Sequence, residues 1–200
     1  MTWTDLTAHV QQYLALAVSA LAAGGLAGLI LGGLAAHSRL WRAPLLTAGN
    51  LARVVPSLAI LTFMLPLFGI GFLPSFAALS LLAAAPVLIN TDLGFRGVPP
   101  AALDAAAGMG MTRMQTLLRV EWPLAVPIVF TGVRTAATEV IASAVLASFI
   151  GAGGLGEYIT TGLQADDARI LWTGVGAIGL IAIAAELLFA FVQHRIGDPA

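Results

Sequence analysis

The sequence contains neither cysteine nor lysine. The lack of cysteine excludes disulfide bonds, thiolate catalysis and cysteine-based metal sites. The lack of lysine bears on nucleotide chemistry, because a Walker A loop uses a lysine to reach the nucleotide phosphates. The chain is therefore expected to have no P-loop ATPase of its own, and any ATP-driven work is expected to come from another subunit.

Charge is scarce as well. Only 10% of the residues are charged, whereas soluble domains carry about a quarter. Hydrophobic residues make up 59% of the chain, and the mean hydropathy is +0.95. These values predict an integral membrane protein. The net charge of −1 and the lack of a basic patch interleaved with aromatic residues give no indication of a nucleic-acid partner.

Patterns of catalytic residues are also missing from the sequence. It has no HExxH or GxSxG motif and no pair of carboxylates at catalytic spacing. His9, His37 and His194 are isolated near predicted helix ends, so no metal site is expected. We therefore expect the chain to be no enzyme and to hold no cofactor.

Long apolar runs predict an all-α membrane domain over residues 13–195. The first run, 13–36, is long enough to cross a bilayer. No charge occurs from Val54 to Thr91, which is too long for one crossing, and the Gly69-Ile70-Gly71 triplet between two prolines predicts a tight hairpin there. The five predicted crossings are about 13–36, 45–68, 74–94, 123–149 and 170–192, with an extracytoplasmic N-terminus, 1–12, and a cytoplasmic tail, 196–200.

The arginines predict the orientation, because basic residues are enriched on the cytoplasmic side of membrane proteins. If the polar loop 97–122 is cytoplasmic, Arg169 lies on the outer side, beside Asp166 and Asp167. The remaining arginines then fall at or near the inner face: Arg39, Arg42, Arg53, Arg96, Arg113, Arg119, Arg134 and Arg195. We therefore predict an outer N-terminus and an inner C-terminus.

The loop 97–122 carries the most specific motif. Asp104-Ala105-Ala106 is followed by Gly110, and the segment closes with Val120-Glu121-Trp122-Pro123. The Ala-rich run predicts a short helix, and Gly110 predicts a break after it. This pattern resembles the cytoplasmic EAA loop of type I ABC importer permeases, with Asp104 in place of a glutamate and Trp122 in place of a leucine. An acid near the start of a helix is favoured by the helix dipole, so Asp104 preserves that feature. The bland alternative is a solvated connection between two crossings.

The resemblance extends from Asn50 to the C-terminus. The segments NLARVVPSLAIL, PLFGIGFLPS, AAAGMGMT, FTGVRTAA and ASFIGAGGLGEYI are similar to the osmoprotectant branch, whose substrates include glycine betaine, choline and carnitine. The resemblance implies the type I importer core and an ATPase contact through the loop. The residues implied in that contact are Ala101, Asp104, Ala105, Ala106, Gly108, Gly110, Arg113 and Pro123.

The same resemblance implies the partners. They are two copies of a cytoplasmic ABC ATPase, an extracytoplasmic solute-binding protein, and a second permease subunit that is identical or homologous. The expected location is a bacterial or archaeal plasma membrane. Alternative functions are import of another small solute, such as methionine or a sulfonate, and ion-coupled secondary transport, although carriers of that kind usually show repeated spans.

Residues 151–156 spell GxGxxG, yet a dinucleotide site needs this motif between a strand and a helix, and here a membrane-length helix precedes it. We interpret these glycines as giving a tight outer loop. Residues 157–161 could face solvent or the outer mouth of the pathway along which an importer permease passes its solute. The candidate pathway residues are Glu139, Ser143, Gly153 and Gly154.

Charges within predicted crossings are costly and usually face protein or water. Arg134 and Glu186 are expected to form structural pairs, whereas Glu139, near mid-membrane, either attracts a cationic substrate or pairs structurally. In the first crossing, Gly24, Gly28 and Gly32 form GxxxG steps that allow close helix packing. Packing within the subunit and a dimer seam are both open.

Overall fold

The computed structural model describes residues 3–197, and within them every regular element is a helix. The all-α prediction is therefore confirmed. The helices are α1 (Trp3–His37), α2 (Arg39–Val54), α3 (Ser57–Phe68), α4 (Phe72–Arg96), α5 (Pro100–Gly108), α6 (Arg113–Thr116), α7 (Trp122–Ala144), α8 (Gly156–Gln164) and α9 (Ala168–Ile196), with a π-helix at Leu117–Glu121 and a 3-10 helix at Val145–Ile150.

Within residues 3–197, four helical stretches are long and apolar enough to cross a membrane. They are Asp5–His37, Phe72–Arg96, Arg113–Ile150 and Ala168–Ile196. A fifth crossing results if the bent pair formed by α2 and α3 is counted as one. This count agrees with the five predicted crossings.

The second crossing is broken. The sequence predicted one helix over 45–68, but the structure has two helices bent by 105°. The break falls at Val55 and Pro56, because proline disfavours a helical conformation in the residue before it, and Val55 is extended. The first of the two helices also begins earlier than residue 45. It starts at Arg39, and the side chain of Ser38 caps it by accepting a hydrogen bond from the Trp41 backbone N–H.

The fourth crossing begins earlier than predicted. The sequence placed its start at Pro123, but the helix runs continuously over Arg113–Ile150. Since proline has no N–H and its ring crowds the carbonyl four residues back, Pro123 cannot continue a regular α-helical ladder. The turn before it is a π-turn, in which the Trp122 N–H bonds to the Leu117 carbonyl. We attribute the wider turn to this proline.

Other helix ends also differ from the prediction. Helix α1 starts at Trp3, so most of the predicted N-terminal segment 1–12 is helical. A short helix, α8, lies in the 151–167 segment, for which no helix was predicted. Residues 198–200, which belong to the predicted tail, lie outside the described residues.

Helices α1 and α4 pack closely side by side. A Cβ atom added at Gly28 would lie 2.6 Å from the Ala84 carbonyl oxygen, and one at Gly32 would lie 2.6 Å from that of Leu88. The contacts advance in the same direction along both chains, so the two helices run parallel. The GxxxG steps therefore serve packing within the subunit, one of the two readings left open by the sequence.

Helix α4 is the centre of the bundle. On its other side it meets α7 in antiparallel register, because Gly94 faces Ala125 and Gly132 faces Pro86. The bundle has two ends. The loop end holds α5 together with the C-termini of α1 and α4, and the far end holds the N-terminus of α1, the α3–α4 turn and residues 151–156.

Candidate coupling surface and intramembrane charges

Helix α5 has a clear start signal and a clear stop signal. Pro100 occupies its first turn, where the missing N–H costs nothing. At its end, the N–H groups of Gly110 and Met111 bond to the carbonyls of Ala107 and Ala106, at 2.9 and 3.1 Å. This is a Schellman motif, and it requires the left-handed conformation that Gly110 adopts, with φ +72°. The expected break at Gly110 is thus the end of a helix.

One face of α5 is exposed. Ala101, Asp104, Ala105 and Gly108 are all exposed, and their spacing of three, four and seven residues places them on the same side of the helix. The opposite side is anchored by Ala106, which is completely buried. We call the four exposed residues the docking face. It consists of small side chains and one carboxylate, so a partner could approach the α5 backbone closely.

The chain after α5 turns directly into the fourth crossing. Thr112 caps α6: its hydroxyl accepts from the Gln115 N–H at 3.3 Å, and the Gln115 side chain accepts from the Thr112 N–H at 2.9 Å. Arg113, the first residue of α6, is exposed, as is Pro123. A displacement of α5 would therefore reach the crossing across a connection of only a few residues.

The loop is fastened to α1. His37 Nε2 lies 2.8 Å from Glu121 Oε2, and its other ring nitrogen lies 2.9 Å from the Gly33 carbonyl oxygen. A cavity of about 600 Å³ lies beside this contact, between α5 and α6. Sequence reasoning missed the pair, since no local spacing connects residues so far apart. The cavity is lined by His37, Leu103, Ala107, Met111, Arg113, Met114, Thr116, Leu117 and Glu121.

A buried ion pair joins α2 to α4 at the loop end. Asp92 is 1% exposed and accepts two hydrogen bonds from Arg42, at 3.2 and 3.3 Å. The two-pronged geometry suits the guanidinium fork. Asp92 was missed at the level of sequence, although an acid at the end of a long apolar run was the available signal. Loss of Arg42 would leave a buried carboxylate without its partner.

Glu139 has a partner that the sequence did not predict. Arg53, in the last turn of α2, has its Nη2 atom 3.7 Å from Oε1 of Glu139 on α7. Arg53 was expected at or near the inner face, but in the structure it lies beside a residue well inside the fourth crossing. Ser143 lies one turn beyond Glu139 on α7 and is half-buried. Glu139 and Ser143 therefore share one side of this helix.

The glycine candidates lie elsewhere, at the far end. The Gly154 N–H bonds to the Gln12 side chain at 3.2 Å, and a Cβ at Gly153 would lie 2.7 Å from the same oxygen. Both residues have positive φ angles, of 75° and 80°. They fasten the turn against α1, as expected for a tight loop, and the structure does not bring them together with Glu139. The preceding element is a 3-10 helix, so the setting of a dinucleotide motif is missing.

The helix after this turn is held by α1 as well. Glu157 Oε2 lies 2.9 Å from His9 Nε2, and Tyr158 is 2% exposed. The Tyr158 side chain therefore faces protein rather than solvent. Further along the bundle, the Tyr13 hydroxyl donates to the Ile141 carbonyl and connects α1 to α7.

A second intramembrane pair joins α7 to α9. The Arg134 guanidinium contacts Glu186 and also donates to Gln193 at 2.6 Å. The expected structural pairing of Arg134 and Glu186 is confirmed. Gln193 in turn donates to the Thr131 hydroxyl at 3.3 Å, so the pair belongs to a connected polar network. No group of histidines and carboxylates in the described part of the chain could hold a metal ion.

Comparison with known proteins assigns the chain to a family. The model of the family described as "binding-protein-dependent transport system inner membrane component" matches residues 24–199. The carnitine transport permease protein OpuCB of Listeria monocytogenes is 38% identical over 151 residues, which are 76% of this chain and 69% of that protein. The osmoprotectant import permease protein OsmW of Salmonella typhimurium is 36% identical over 190 residues, which are 92% of this chain and 86% of that protein.

The fold is shared with a solved transporter. An inward-facing structure of the MetNI methionine ABC transporter matches with a TM-score of 0.85 at 20% identity, covering 99% of this chain and 100% of that chain. The helix arrangement is therefore that of an importer permease, and the resemblance drawn from the EAA-like loop is confirmed. The chain belongs to the family of binding-protein-dependent transport system inner membrane components, the membrane permeases of ABC importers.

Proposed function

We propose that this chain is the permease subunit of an ATP-driven importer for osmoprotectants with a quaternary ammonium group, such as glycine betaine, choline or carnitine. The observation that carries the substrate class is the similarity to OsmW, which extends over 92% of the chain. OpuCB, named for carnitine transport, supports the same class.

The docking face suggests how ATP drives the subunit. Two copies of a cytoplasmic ATPase would each receive one α5 helix in a groove, and closure of the ATPase pair on ATP would move the two α5 helices together. Since α5 is joined through the capped turn at Thr112 to the fourth crossing, the movement would reach the pathway between two permease subunits. The pathway then opens alternately to each side of the membrane.

The far end is the proposed landing site of an extracytoplasmic solute-binding protein. Its turn at residues 151–154 is fastened to α1 by the Gln12 contact, so the surface offered to a partner is well defined. The solute is released there into the outward-open pathway. Whether the second permease subunit is identical or homologous does not alter this scheme.

Uptake measurements test the substrate class. Cells of the native host lacking this chain should lose uptake of labelled glycine betaine, choline or carnitine under osmotic stress, and the restored chain should return it. Unchanged uptake of all three solutes, together with loss of methionine or sulfonate uptake, would replace the osmoprotectant assignment with the alternative importer.

Cross-linking tests the ATPase contact, because the chain has no native cysteine. A thiol–amine cross-linker on an Ala105→Cys variant should join the permease to the ATPase subunit. The matched control is Ala165→Cys, which is also exposed but lies at the far end. Cross-links to the ATPase from Ala165→Cys but not from Ala105→Cys would refute the proposed docking face.

A further inference from the structure

Arg53 and Glu139 form an ion pair without a hydrogen bond. The two charged groups approach to 3.7 Å, which is beyond hydrogen-bonding distance. Within residues 3–197, neither side chain makes a hydrogen bond to another group. The N–H donors of the guanidinium and the two carboxylate oxygens are therefore not engaged in hydrogen bonds within this part of the chain.

The other arginine–carboxylate pairs in the described part of the chain are joined by hydrogen bonds. Arg42 holds Asp92 with two hydrogen bonds, and Arg134 contacts Glu186 while it donates to Gln193. These pairs have the geometry of structural links between helices. The Arg53–Glu139 pair differs from them in having charge without hydrogen bonds.

The pair also faces outward from the chain. The side chains of Arg53 and Glu139 are 45% and 34% exposed, so the helices of this subunit cover them only in part. Glu139 lies 17 residues beyond the start of α7, roughly 26 Å along the helix, and so well within the crossing. Charges at such a depth do not face lipid but protein or a water-filled cavity. The exposed side of this pair is therefore expected to face the second permease subunit or the pathway between the two subunits.

The break between α2 and α3 produces this placement. Helix α2 rises from the loop end beside α4, since Arg42 meets Asp92 and Gly49 meets Leu88 and Ile89. It stops after Val54, and α3 leaves at 105°. The arginine thus sits at the open end of a helix, where no following turn on the same axis covers it.

We propose that Arg53 and Glu139 form a transient binding site for a zwitterionic solute in the transport pathway. The guanidinium takes the solute carboxylate through its donor fork, and the Glu139 carboxylate attracts the solute ammonium. The solute replaces one ion pair with two, so the net charge of the site stays zero throughout. Such an exchange gives weak attraction, as release on the far side requires. This inference rests on the proposed osmoprotectant function and specifies its pathway chemistry.

The site predicts an order among solutes. Glycine betaine carries both charges and satisfies both residues, whereas choline carries only the ammonium and leaves Arg53 without an anion. Arg53→Gln removes that disadvantage, and Glu139→Gln removes the attraction for the ammonium. The two variants should therefore shift the preference between choline and glycine betaine in opposite directions.

The experiment is competitive uptake of labelled choline and glycine betaine by the complete transporter. We expect Arg53→Gln to raise the choline-to-betaine ratio by about tenfold, the effect of one lost charge-assisted contact, and Glu139→Gln to lower the ratio. Because both solutes pass through the same complexes, the ratio is independent of how much protein assembles. Arg134→Gln, at a hydrogen-bonded pair, is the matched control and should lower both uptakes in parallel.

The outcomes separate the two proposals. If the unsubstituted transporter carries neither solute and does not carry carnitine either, the osmoprotectant function is wrong and the site falls with it. If it carries them but neither variant changes the ratio, or both change it in the same direction, the zwitterion site is wrong and the osmoprotectant function stands. A residual uptake above background in each variant is sufficient for the ratio to be measured.

Discussion

Two neighbouring aspartates, Asp166 and Asp167, have opposite effects on stability in the turn between α8 and α9. Asp166 has φ +51°, a left-handed conformation that costs free energy for any residue with a Cβ atom. Asp167 caps α9, because its carboxylate accepts from the N–H groups of Arg169 and Ile170 at 2.8 and 3.4 Å.

The first prediction concerns these two residues. Asp166→Gly should raise the free energy of unfolding by about 0.5 kcal/mol, since glycine adopts the left-handed conformation readily. Asp167→Ala should lower it by about 1 kcal/mol through loss of the cap. Thermal denaturation of the purified subunit in detergent measures both. A destabilised Asp166→Gly variant would contradict the conformation described for this turn.

The second prediction concerns the α1–α4 contact. In Gly28→Ala the added methyl group would meet the Ala84 carbonyl at 2.6 Å and the Val87 Cβ at 2.7 Å, so stability should fall by roughly 1–3 kcal/mol. Gly25→Ala is the control on the same helix, because a Cβ there has no neighbour within 4 Å. It should be neutral or slightly stabilising. Equal losses in both variants would argue against the close parallel packing.

Some of the residues that hold the helices together can be predicted from the sequence, and others cannot. The packing glycines repeat every four residues, and that local period is visible without a structure. Asp92 and Arg53 are different, because each acquires its meaning from a partner on another helix. Their partners, Arg42 and Glu139, lie 50 and 86 positions away in the chain, and no local pattern encodes such a distance.

At the scale of elements, the loop 97–122 was predicted in outline. Its short helix and its glycine break follow from the Ala-rich run and from Gly110, and both are present. The start of the next crossing was predicted too late. Proline usually marks the first turn of a helix, but a π-turn admits Pro123 within a helix that had already begun at Arg113.

The third prediction belongs to this loop. Gly110→Val should reduce solute-stimulated ATP hydrolysis by the complete transporter, because a β-branched residue at φ +72° costs about 2 kcal/mol and would shift α5. A Cβ atom added at this position has no neighbour within 4 Å, so the expected effect arises from the backbone conformation. Gly110→Asn, which tolerates the left-handed conformation, is the control and should retain most activity. Full activity of Gly110→Val would remove α5 positioning from the mechanism.

The break between α2 and α3 shows why an uncharged run can mislead. Apolar composition records burial in protein or lipid but not the direction of the helix axis. Pro56 was the available signal for an interruption, since the residue before a proline is biased away from helix. The size of the bend, 105°, depends on contacts with other helices and cannot be read from the local residues.

At the scale of the whole molecule, the orientation in the membrane stays a prediction. The structure separates a loop end from a far end, and the pairing of Arg53 with Glu139 removes one arginine from the set assigned to the inner face. Arg39, Arg96, Arg113 and Arg119 still belong to the loop end by their positions in the chain. The bias toward a cytoplasmic loop end is therefore retained.

The fourth prediction tests this orientation by single-cysteine labelling. Thr112→Cys should react with a membrane-impermeant thiol reagent only after the cytoplasmic side is opened, and Gln164→Cys should react in intact cells. Both positions are exposed, and the natural chain has no competing thiol. The reverse pattern of labelling would overturn the orientation and, with it, the proposed ATPase contact.

The helix Arg113–Ile150 has a consequence for the thermodynamics of the cycle. Its 38 residues extend for roughly 55–60 Å, from the turn beside the docking face to the turn that is fastened on α1. If binding at one end of this helix changes the affinity at the other end, the coupling free energy is the same in both directions. Occupancy of the outer end by a loaded binding protein should thus raise the affinity for ATP on the opposite side by the same factor by which ATP tightens the hold on the binding protein. Equilibrium titrations from the two ends would then return one number.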